Sequence, residues 1–325
     1  MNPLMKYKHH KRIKLIYNPA AGSNKKKPLQ FTEIIKELQY WRFIAEPFIT
    51  EPDTDYYALV ADAIKDGIRM FVVCGGDGTV SATAAALLGT RAILGIIPSG
   101  TRNNIALSLG IPNDLKVAIE LLRRGRKIKT DMGIVKCANS LVPFLEVCSI
   151  GLFSELFQSS DSIQHGDISQ IKDFISKLSS SFPSKIHLIL DNKTDIKESG
   201  HVVIVSNMPF IGHNYKIGNS EKAFSDGFFD VLICADIPKI RLMLGYVLKT
   251  EAGGDRDYRI KRFRAKNIVI KTDPPMSVLI DGRIIKHNSV IIDISHNALN
   301  VMAGVDKTRH GNQVKLYGNR TKKYG

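Results

Sequence analysis

An apolar strand runs directly into a glycine-rich turn in the segment Phe71-Val72-Val73-Cys74-Gly75-Gly76-Asp77-Gly78-Thr79-Val80. Glycines let the backbone turn tightly and approach a ligand closely, and the helix that follows offers unpaired N–H groups in its first turn. A strand, a small-residue turn and a helix N-terminus in this order are typical of phosphate-binding loops. Asp77 beside a phosphate indicates a bridging divalent cation or a polarised hydroxyl; the alternative is a local turn or cap residue.

Two further loops have the same character. Asn18-Pro19-Ala20-Ala21-Gly22 follows the first predicted strand, and Pro98-Ser99-Gly100-Thr101-Arg102-Asn103-Asn104 follows a later one. In a parallel sheet, all three loops leave the carboxyl ends of their strands, where ligands bind in open α/β sheets. The sequence therefore predicts one ligand site built from three loops.

The first third of the chain alternates strand-like and helix-like stretches, which predicts a parallel sheet covered by helices. We predict strands over residues 13–17, 43–49, 70–74 and 93–97, and helices over residues 29–40, 56–66, 80–88 and 101–109. After about residue 130 the pattern predicts short antiparallel strands over residues 134–135, 144–149, 186–190, 202–206, 229–235, 267–271, 277–280, 290–294 and 299–302. Two helix-like stretches, residues 168–178 and 240–248, interrupt this second part.

These elements predict an α/β plus β fold class with two domains. Residues 1–131 would form a parallel α/β nucleotide-binding domain, and residues 132–325 an antiparallel β-sandwich whose last residues are able to return to the first domain. The site would lie in the cleft between the two domains.

Composition excludes several classes of protein. The chain has 325 residues, of which 44% are hydrophobic, so it can bury a substantial core. No window offers the roughly 18 apolar residues of a membrane-spanning helix, and the basic N-terminus lacks the apolar stretch of a signal peptide. The four cysteines contain no CxxC pair, which argues against zinc and disulfide chemistry. These features predict a cytoplasmic protein.

The positive charge is concentrated at the two ends of the chain. Residues 1–14 and 305–325 together carry +10 of the net charge of +15. Such tails are either simply solvated or attracted to a polyanion, meaning nucleic acid or an anionic membrane surface. No nucleic-acid-binding module is recognisable, so nucleic acid ranks last as a partner. The prediction is peripheral association with an anionic membrane.

Five motifs in a fixed order carry a resemblance to a known family. To the three loops above the chain adds Ser225-Asp226-Gly227-Phe228-Phe229-Asp230 and Ile280-Asp281-Gly282-Arg283. Over about residues 12–303 the chain resembles the diacylglycerol kinase catalytic-domain family, which includes bacterial lipid kinases and has sphingosine kinases as relatives. Gly-Gly-Asp-Gly-Thr alone is shared with NAD kinases and phosphofructokinases; five ordered motifs are far more specific.

The resemblance implies two cofactors, ATP and Mg²⁺. Its ATP contacts map onto Asn18, Pro19, Ala20, Ala21, Gly22, Thr50, Gly75, Gly76, Asp77, Gly78, Thr79, Gly100 and Thr101. It also implies a structural divalent ion in the second domain, held by the carboxylate of Asp226 and the main-chain carbonyls of Ala223 and Phe228.

The catalytic residues implied by the resemblance are Asp77, Asp281 and position 283. The family has an Asp-Gly-Glu whose glutamate is the catalytic base, and here Arg283 replaces that glutamate. Arginine cannot act as a base, although it can stabilise charge on a transferred phosphoryl group. Asp281 remains as a base candidate. The chain also has Ser81-Ala82 where the family has Asn-Glu, and Asn104 where the family has Asp.

The expected function is that of an ATP-dependent lipid kinase, which would phosphorylate a hydroxyl of a diacylglycerol-like or sphingoid lipid. The missing carboxylates keep a second hypothesis open, a catalytically degenerate protein that binds nucleotide or lipid. A third is an NAD kinase-like enzyme. The oligomeric state stays open, and a homodimer is one option.

Overall fold

The computed structural model describes residues 9–22, 27–137, 140–151, 183–211, 215–217, 222–235, 260–286 and 289–303. These residues form two compact units. The first contains the described residues up to 80, residues 90–128 and those from 300 onward, and the second contains residues 81–89 and 129–299. The domain limits predicted from the sequence, and the cleft between the domains, stay predictions.

Strands and helices alternate up to residue 124. In chain order the elements are β1 (Lys11–Tyr17), α1 (Lys27–Tyr40), β2 (Phe43–Ile49), α2 (Tyr56–Lys65), β3 (Met70–Gly75), α3 (Asp77–Leu87), β4 (Ile93–Pro98), α4 (Asn104–Ser108) and α5 (Leu115–Arg124).

The remaining described elements are almost all strands. They are β5 (Arg126–Cys137), β6 (Ser140–Phe144), β7 (Val147–Gly151), β8 (Ser184–Leu190), β9 (Thr194–Ser206), β10 (Phe210–Ile211), β11 (Tyr215–Lys216), a 3₁₀ turn (Ala223–Ser225), β12 (Phe229–Ala235), β13 (Ile260–Ala265), β14 (Asn267–Asp273), β15 (Ser277–Ile280), β16 (Arg283–Lys286) and β17 (Ser289–Ala303).

The first unit is built on a parallel sheet with the strand order β2-β1-β3-β4. Asn300 and Val301, near the end of β17, add a further parallel strand beside β4. Residues of β1, β3 and β4 are largely buried, as expected for strands covered on both faces. The apolar face of α1 packs into the same core through Ile34 and Leu38.

Helix α5 was missed in the sequence reading, although its signals are strong. Asp114 caps it by accepting a hydrogen bond from the Val117 N–H at 3.0 Å. Its apolar side is buried and includes Ile119 and Leu122. A Cβ atom on Gly95 of β4 would lie 2.5 Å from Leu122, so that glycine permits the close approach of the helix.

The second unit is an antiparallel sheet in which β16-β15-β7-β9-β8-β14-β17 are successive neighbours. The long strand β9 pairs with β8 through its first half, and its second half pairs with β7 on one side and β12 on the other. Alternate residues such as Val203, Val205 and Val231 point into one core. Parallel strands followed by antiparallel strands confirm the predicted mixed fold class.

Several predicted elements have different limits in the structure. The strand expected over residues 144–149 is interrupted at Leu145 and Glu146, and those expected over residues 290–294 and 299–302 are one strand, β17. Helix α3 begins at Asp77 instead of residue 80. The helices expected over residues 168–178 and 240–248 lie outside the described residues.

Two sequence expectations concern cysteines and membrane spans. All four cysteines are free and buried. Among the helices that the structure describes, none is long and apolar enough to cross a membrane.

Candidate active site

The carboxyl ends of the parallel strands meet at one edge of the sheet of the first unit. The N–H of Asn18, directly after β1, donates to the Cys74 carbonyl of β3 at 2.9 Å. The N–H of Ser99, directly after β4, donates to the Gly75 carbonyl at 3.1 Å. The three predicted loops therefore emerge side by side.

Glycines allow these loops to touch. A Cβ atom on Gly22, which has a φ of +70°, would lie 2.5 Å from the Ser99 carbonyl oxygen. A Cβ atom on Gly100 would lie 2.5 Å from the Cα of Gly76. Such distances are far inside van der Waals contact, so larger residues at these positions would push the loops apart.

Asn18 fixes the first loop to the second. Its Nδ2 donates to the hydroxyl of Thr79 at 2.8 Å, and its Oδ1 accepts from the Ala20 N–H at 2.8 Å. The asparagine side chain therefore closes its own turn and holds the start of α3.

The other predicted contact residues of the first unit lie at the same edge. Thr50 follows β2, is buried, and donates its N–H to the Tyr17 carbonyl at 2.9 Å. The turn residues Pro19 and Ala21 are partly exposed, and Thr101 is exposed in the third loop.

Gly78 lies open in the first turn of α3. It is exposed, and a Cβ atom built on it would meet no heavy atom within 4 Å. The N–H groups of a first helical turn have no partner within the helix, and the helix dipole favours an anion there. The arrangement leaves room for a phosphate group at this helix end.

The carboxylate of Asp77 is engaged within the protein. Its Oδ1 accepts from the Ile105 N–H at 3.0 Å and its Oδ2 from the Asn104 N–H at 3.1 Å. Burial raises the pKa of Asp77, while these hydrogen bonds and the charge of Arg102 oppose the rise. Asp77 therefore caps α4, which is the alternative that the sequence reading left open. Its predicted role in catalysis stays a prediction.

Asn103 organises the third loop and was missed in the sequence reading. It adopts a left-handed backbone with a φ of +54°. Its side chain accepts from the Gly100 N–H and donates to the Gly100 carbonyl, both at 2.9 Å. These bonds hold residues 100–103 in a closed turn, so α4 begins at Asn104 instead of residue 101. Asparagine is among the few residues that tolerate this conformation, and that was the available signal.

In the second unit, Asp281 lies in the turn between β15 and β16 and receives a ring of backbone donors. Its Oδ2 accepts from the Leu145 N–H at 2.6 Å, and its Oδ1 accepts from the Glu146 and Val147 N–H groups at 3.0 and 2.8 Å. Burial raises the pKa of Asp281, opposed by these hydrogen bonds and by the Ser81 hydroxyl. The carboxylate thus binds the bend between β6 and β7, which explains why residues 144–149 are not one strand.

Arg283 begins β16, two residues after Asp281, and is exposed. Because Asp281 is hydrogen-bonded on both oxygens, its predicted role as the base is not favoured by the geometry, and it stays a prediction. Arg283 is available to an anion from solvent.

Asp226 does not have the surroundings expected for a metal ligand. Its Oδ2 lies 2.6 Å from the Arg264 guanidinium, and its Oδ1 accepts from the Phe228 N–H at 3.1 Å. Ala223 lies in the preceding 3₁₀ turn and is buried. Divalent cations need several oxygen ligands. Because Arg264 and the Phe228 N–H engage both oxygens of Asp226, this carboxylate does not fit the implied structural ion. Ligation by the main-chain carbonyls of Ala223 and Phe228 stays a prediction.

Asp131 was also missed in the sequence reading, although it is a charged residue within the apolar stretch of β5. It is 0% exposed, and it accepts from the Gly227 N–H and the Asn297 N–H, both at 2.7 Å. Asn207, equally buried, donates to the carbonyls of Asp131 and Leu145 at 2.8 and 2.9 Å. These two side chains connect the Asp226-Gly227 motif to the Asp281 region.

A family comparison matches part of the chain. Residues 12–135, which are less than half of the chain, match the model of the diacylglycerol kinase catalytic domain. The resemblance drawn from the five motifs is therefore confirmed, and the diacylglycerol kinases are the class of protein that this segment resembles.

Individual relatives agree with that class. The chain is 25% identical over 313 residues to an uncharacterized protein of Synechocystis sp., sll0036, covering 90% of this chain and 70% of that protein. It is 23% identical to the diacylglycerol kinase of Staphylococcus carnosus, covering 84% and 88% of the two chains. A crystal structure of a diacylglycerol kinase from Bacillus anthracis shares the fold with a TM-score of 0.69 and 22% identity, covering 92% of this chain and 98% of that one.

Proposed function

We propose that the protein is an ATP-dependent kinase that phosphorylates a hydroxyl of a diacylglycerol-like or sphingoid lipid. The single observation that carries this proposal is the convergence of the Asn18, Gly75 and Gly100 loops around the open helix end at Gly78. Relatives with this domain are named lipid kinases, which supports a lipid acceptor.

In this proposal the polyphosphate of ATP lies against the glycine loops. The N–H groups of Asp77 and Gly78 at the start of α3 would bind phosphate oxygens, as helix N-termini do in other phosphate sites. Those of Thr79 and Val80 donate to the Gly76 carbonyl. Gly76 and Gly100 let the backbone come close enough for that contact. Mg²⁺ would enter bound to the ATP phosphates and neutralise their charge.

The transfer itself joins the lipid hydroxyl oxygen to the γ-phosphorus. That P–O bond forms, the bond from the γ-phosphorus to the bridging oxygen breaks, ADP leaves, and the hydroxyl proton is released. Positioning and charge stabilisation matter more than full deprotonation in such reactions. We assign Arg283 to the developing charge of the phosphoryl group, and Asp281 to holding the Arg283 turn.

The lipid partner implies contact with a membrane surface. Most of the basic charge assigned to that contact falls on residues 1–8 and 305–325, which lie outside the described residues. Peripheral attachment, a cytoplasmic location and a homodimer stay predictions.

A direct assay tests the proposal. The purified chain is incubated with γ-labelled ATP, Mg²⁺ and vesicles that contain diacylglycerol or a sphingoid base. We expect a labelled phospholipid, and no label on NAD. Protein that binds ATP yet labels no lipid would overturn the lipid kinase, and labelled NAD would favour the dinucleotide alternative.

Gly78→Val tests the helix end separately. Because its side chain enters open space, we expect an unchanged melting temperature and an ATP affinity lowered at least about tenfold, or 1.4 kcal/mol. Ala58→Val, in the first turn of α2 and exposed, is the matched control and should bind ATP normally. Normal ATP affinity of Gly78→Val would contradict the assigned phosphate position.

A second candidate function is a kinase-like protein that binds nucleotide or lipid without efficient transfer. The engaged carboxylate of Asp281 and the absence of glutamate at position 283 favour it. Arg283→Glu separates the two candidates. If Arg283 acts on the phosphoryl group, labelling falls. A large gain in labelling identifies a degenerate site that lacks its base.

A further inference from the structure

One arginine faces both carboxylates of the Ser225-Asp226-Gly227-Phe228-Phe229-Asp230 motif. Arg264 Nη2 lies 2.6 Å from Asp226 Oδ2, and its Nε lies 3.6 Å from Asp230 Oδ1. The second contact follows from strand pairing, because Arg264 of β13 lies directly opposite Asp230 of β12. The antiparallel register of β12 and β13 therefore places the Arg264 guanidinium beside the motif.

A second cation supports the same position. The guanidinium carbon of Arg264 lies 4.8 Å from the centre of the Phe228 ring, and Lys266 Nζ lies 4.6 Å from it. Both distances are within the range of cation–π attraction. The aromatic residue of the motif thus holds positive charge beside Asp226.

The backbone of the motif is fixed from its other side. The buried Asp131 accepts from the Gly227 N–H at 2.7 Å, and the His296 ring lies 2.8 Å from the Asp131 carboxylate. The ring of His296 also packs on Gly227, which has a φ of +77°. Asp131 and His296 therefore hold the turn at Gly227 in place.

A divalent ion would compete with Arg264 for the same oxygens. Asp226 uses one oxygen for Arg264 and the other for the Phe228 N–H. Asp230 Oδ2 is buried and has no hydrogen-bond partner among the described residues. Burial raises the pKa of Asp230 above its usual value, the charge of Asp226 adds to the rise, and the charges of Arg264 and Arg262 oppose it.

We propose that Arg264 occupies the place of the structural divalent ion that the resemblance implies. The guanidinium offsets one of the two negative charges of the Asp226–Asp230 pair at the position of the ion, and the fold of the second unit does not depend on Mg²⁺. Removal of the guanidinium leaves two adjacent carboxylates, and Mg²⁺ binds proteins through one or two carboxylates while keeping several water ligands. The substitution would thus create a divalent cation site.

Thermal unfolding of the full chain tests this proposal without any activity measurement. For the wild type we expect the same melting temperature in EDTA and in millimolar Mg²⁺ or Ca²⁺. Arg264→Ala should melt about 3–6 °C lower in EDTA and recover about 2–5 °C on addition of Ca²⁺ or Mg²⁺. Lys271→Ala, an exposed cation on β14, is the control and should show neither effect.

Two outcomes would overturn the proposal. One is a wild-type melting temperature that falls in EDTA, which would mean that the native motif holds a metal. The other is an Arg264→Ala protein whose melting temperature does not respond to divalent ions. If that variant fails to fold, Arg264→Gln replaces it, with metal binding measured by calorimetry. Neither readout depends on lipid phosphorylation, so failure here leaves the proposed kinase activity standing.

Discussion

The motif glycines of the first unit leave open space beside the backbone, whereas the motif carboxylates of the second unit are hydrogen-bonded or ion-paired within the protein. Gly22, Gly76 and Gly100 let loops approach, and Gly78 keeps a helix end open. Asp281 and Asp226 use both carboxylate oxygens on donors of the protein itself. Motifs that look equally functional in the sequence thus differ in the structure: some leave room for a ligand, and others make contacts within the protein.

The largest expected effect concerns Asp281. Asp281→Ala removes a partly buried acceptor from the N–H groups of Leu145, Glu146 and Val147 and should cost about 3–5 kcal/mol of unfolding free energy. Chemical denaturation measures this loss. Asp195→Ala removes an exposed contact with His187 and should cost at most about 1 kcal/mol. If both variants lost the same unfolding free energy, the hydrogen bonds of Asp281 would not stabilise the second unit more than an exposed ion pair does.

Two glycines of the loops at the edge of the parallel sheet should respond in opposite directions. Gly100→Ala places a Cβ against Gly76 and should cost about 1–3 kcal/mol of unfolding free energy. Gly78→Ala meets open space inside a helix and should stabilise the fold by up to about 1 kcal/mol. Denaturation midpoints compare them directly. A destabilised Gly78→Ala would mean that this position is packed rather than open.

The smallest effect is the pH dependence contributed by Asp77. Burial raises the pKa of Asp77 in the folded protein, so the folded state binds a proton more readily than the unfolded chain. The contribution of Asp77 to the unfolding free energy therefore falls as the pH rises from 3.8, its unfolded pKa, through the higher pKa of the folded state. The difference in unfolding free energy between the wild type and Asp77→Asn should shrink by up to about 1 kcal/mol over that interval.

Denaturation series at several acidic pH values would measure this change. Asp114→Asn, which alters the N-cap of α5, controls for the loss of a helix cap. A difference that widens with rising pH would contradict the assigned direction for Asp77.

The sequence was sufficient for the parallel sheet and its loops, because their signals are local. Apolar strands followed by glycine turns gave β3 and the position of Gly76 almost to the residue. The break between β6 and β7 was not predictable locally, since it depends on Asp281, which lies more than 130 positions away. The roles of Asp131 and Asn207 likewise depend on which distant segments meet.

Local reading also misjudged what surrounds a motif. The sequence pointed to Asp226-Gly227 as a metal-binding motif, but Arg264 reaches Asp226 through the pairing of β12 with β13. A local motif does not show which distant strands pair with it, or in which register they pair.

The pairing of β17 with β4 has a consequence for how the chain folds during synthesis. Asn300 and Val301 pair with Ile93 and Leu94 in the sheet that begins at Lys11, so that sheet contains contacts between residues about 200 positions apart. Such long-range pairing slows folding. Until those residues leave the ribosome, the β4 side of the sheet is an unpaired edge, which is a template for aggregation. Because the sheet is completed late in synthesis, we expect chaperones to bind the nascent first unit.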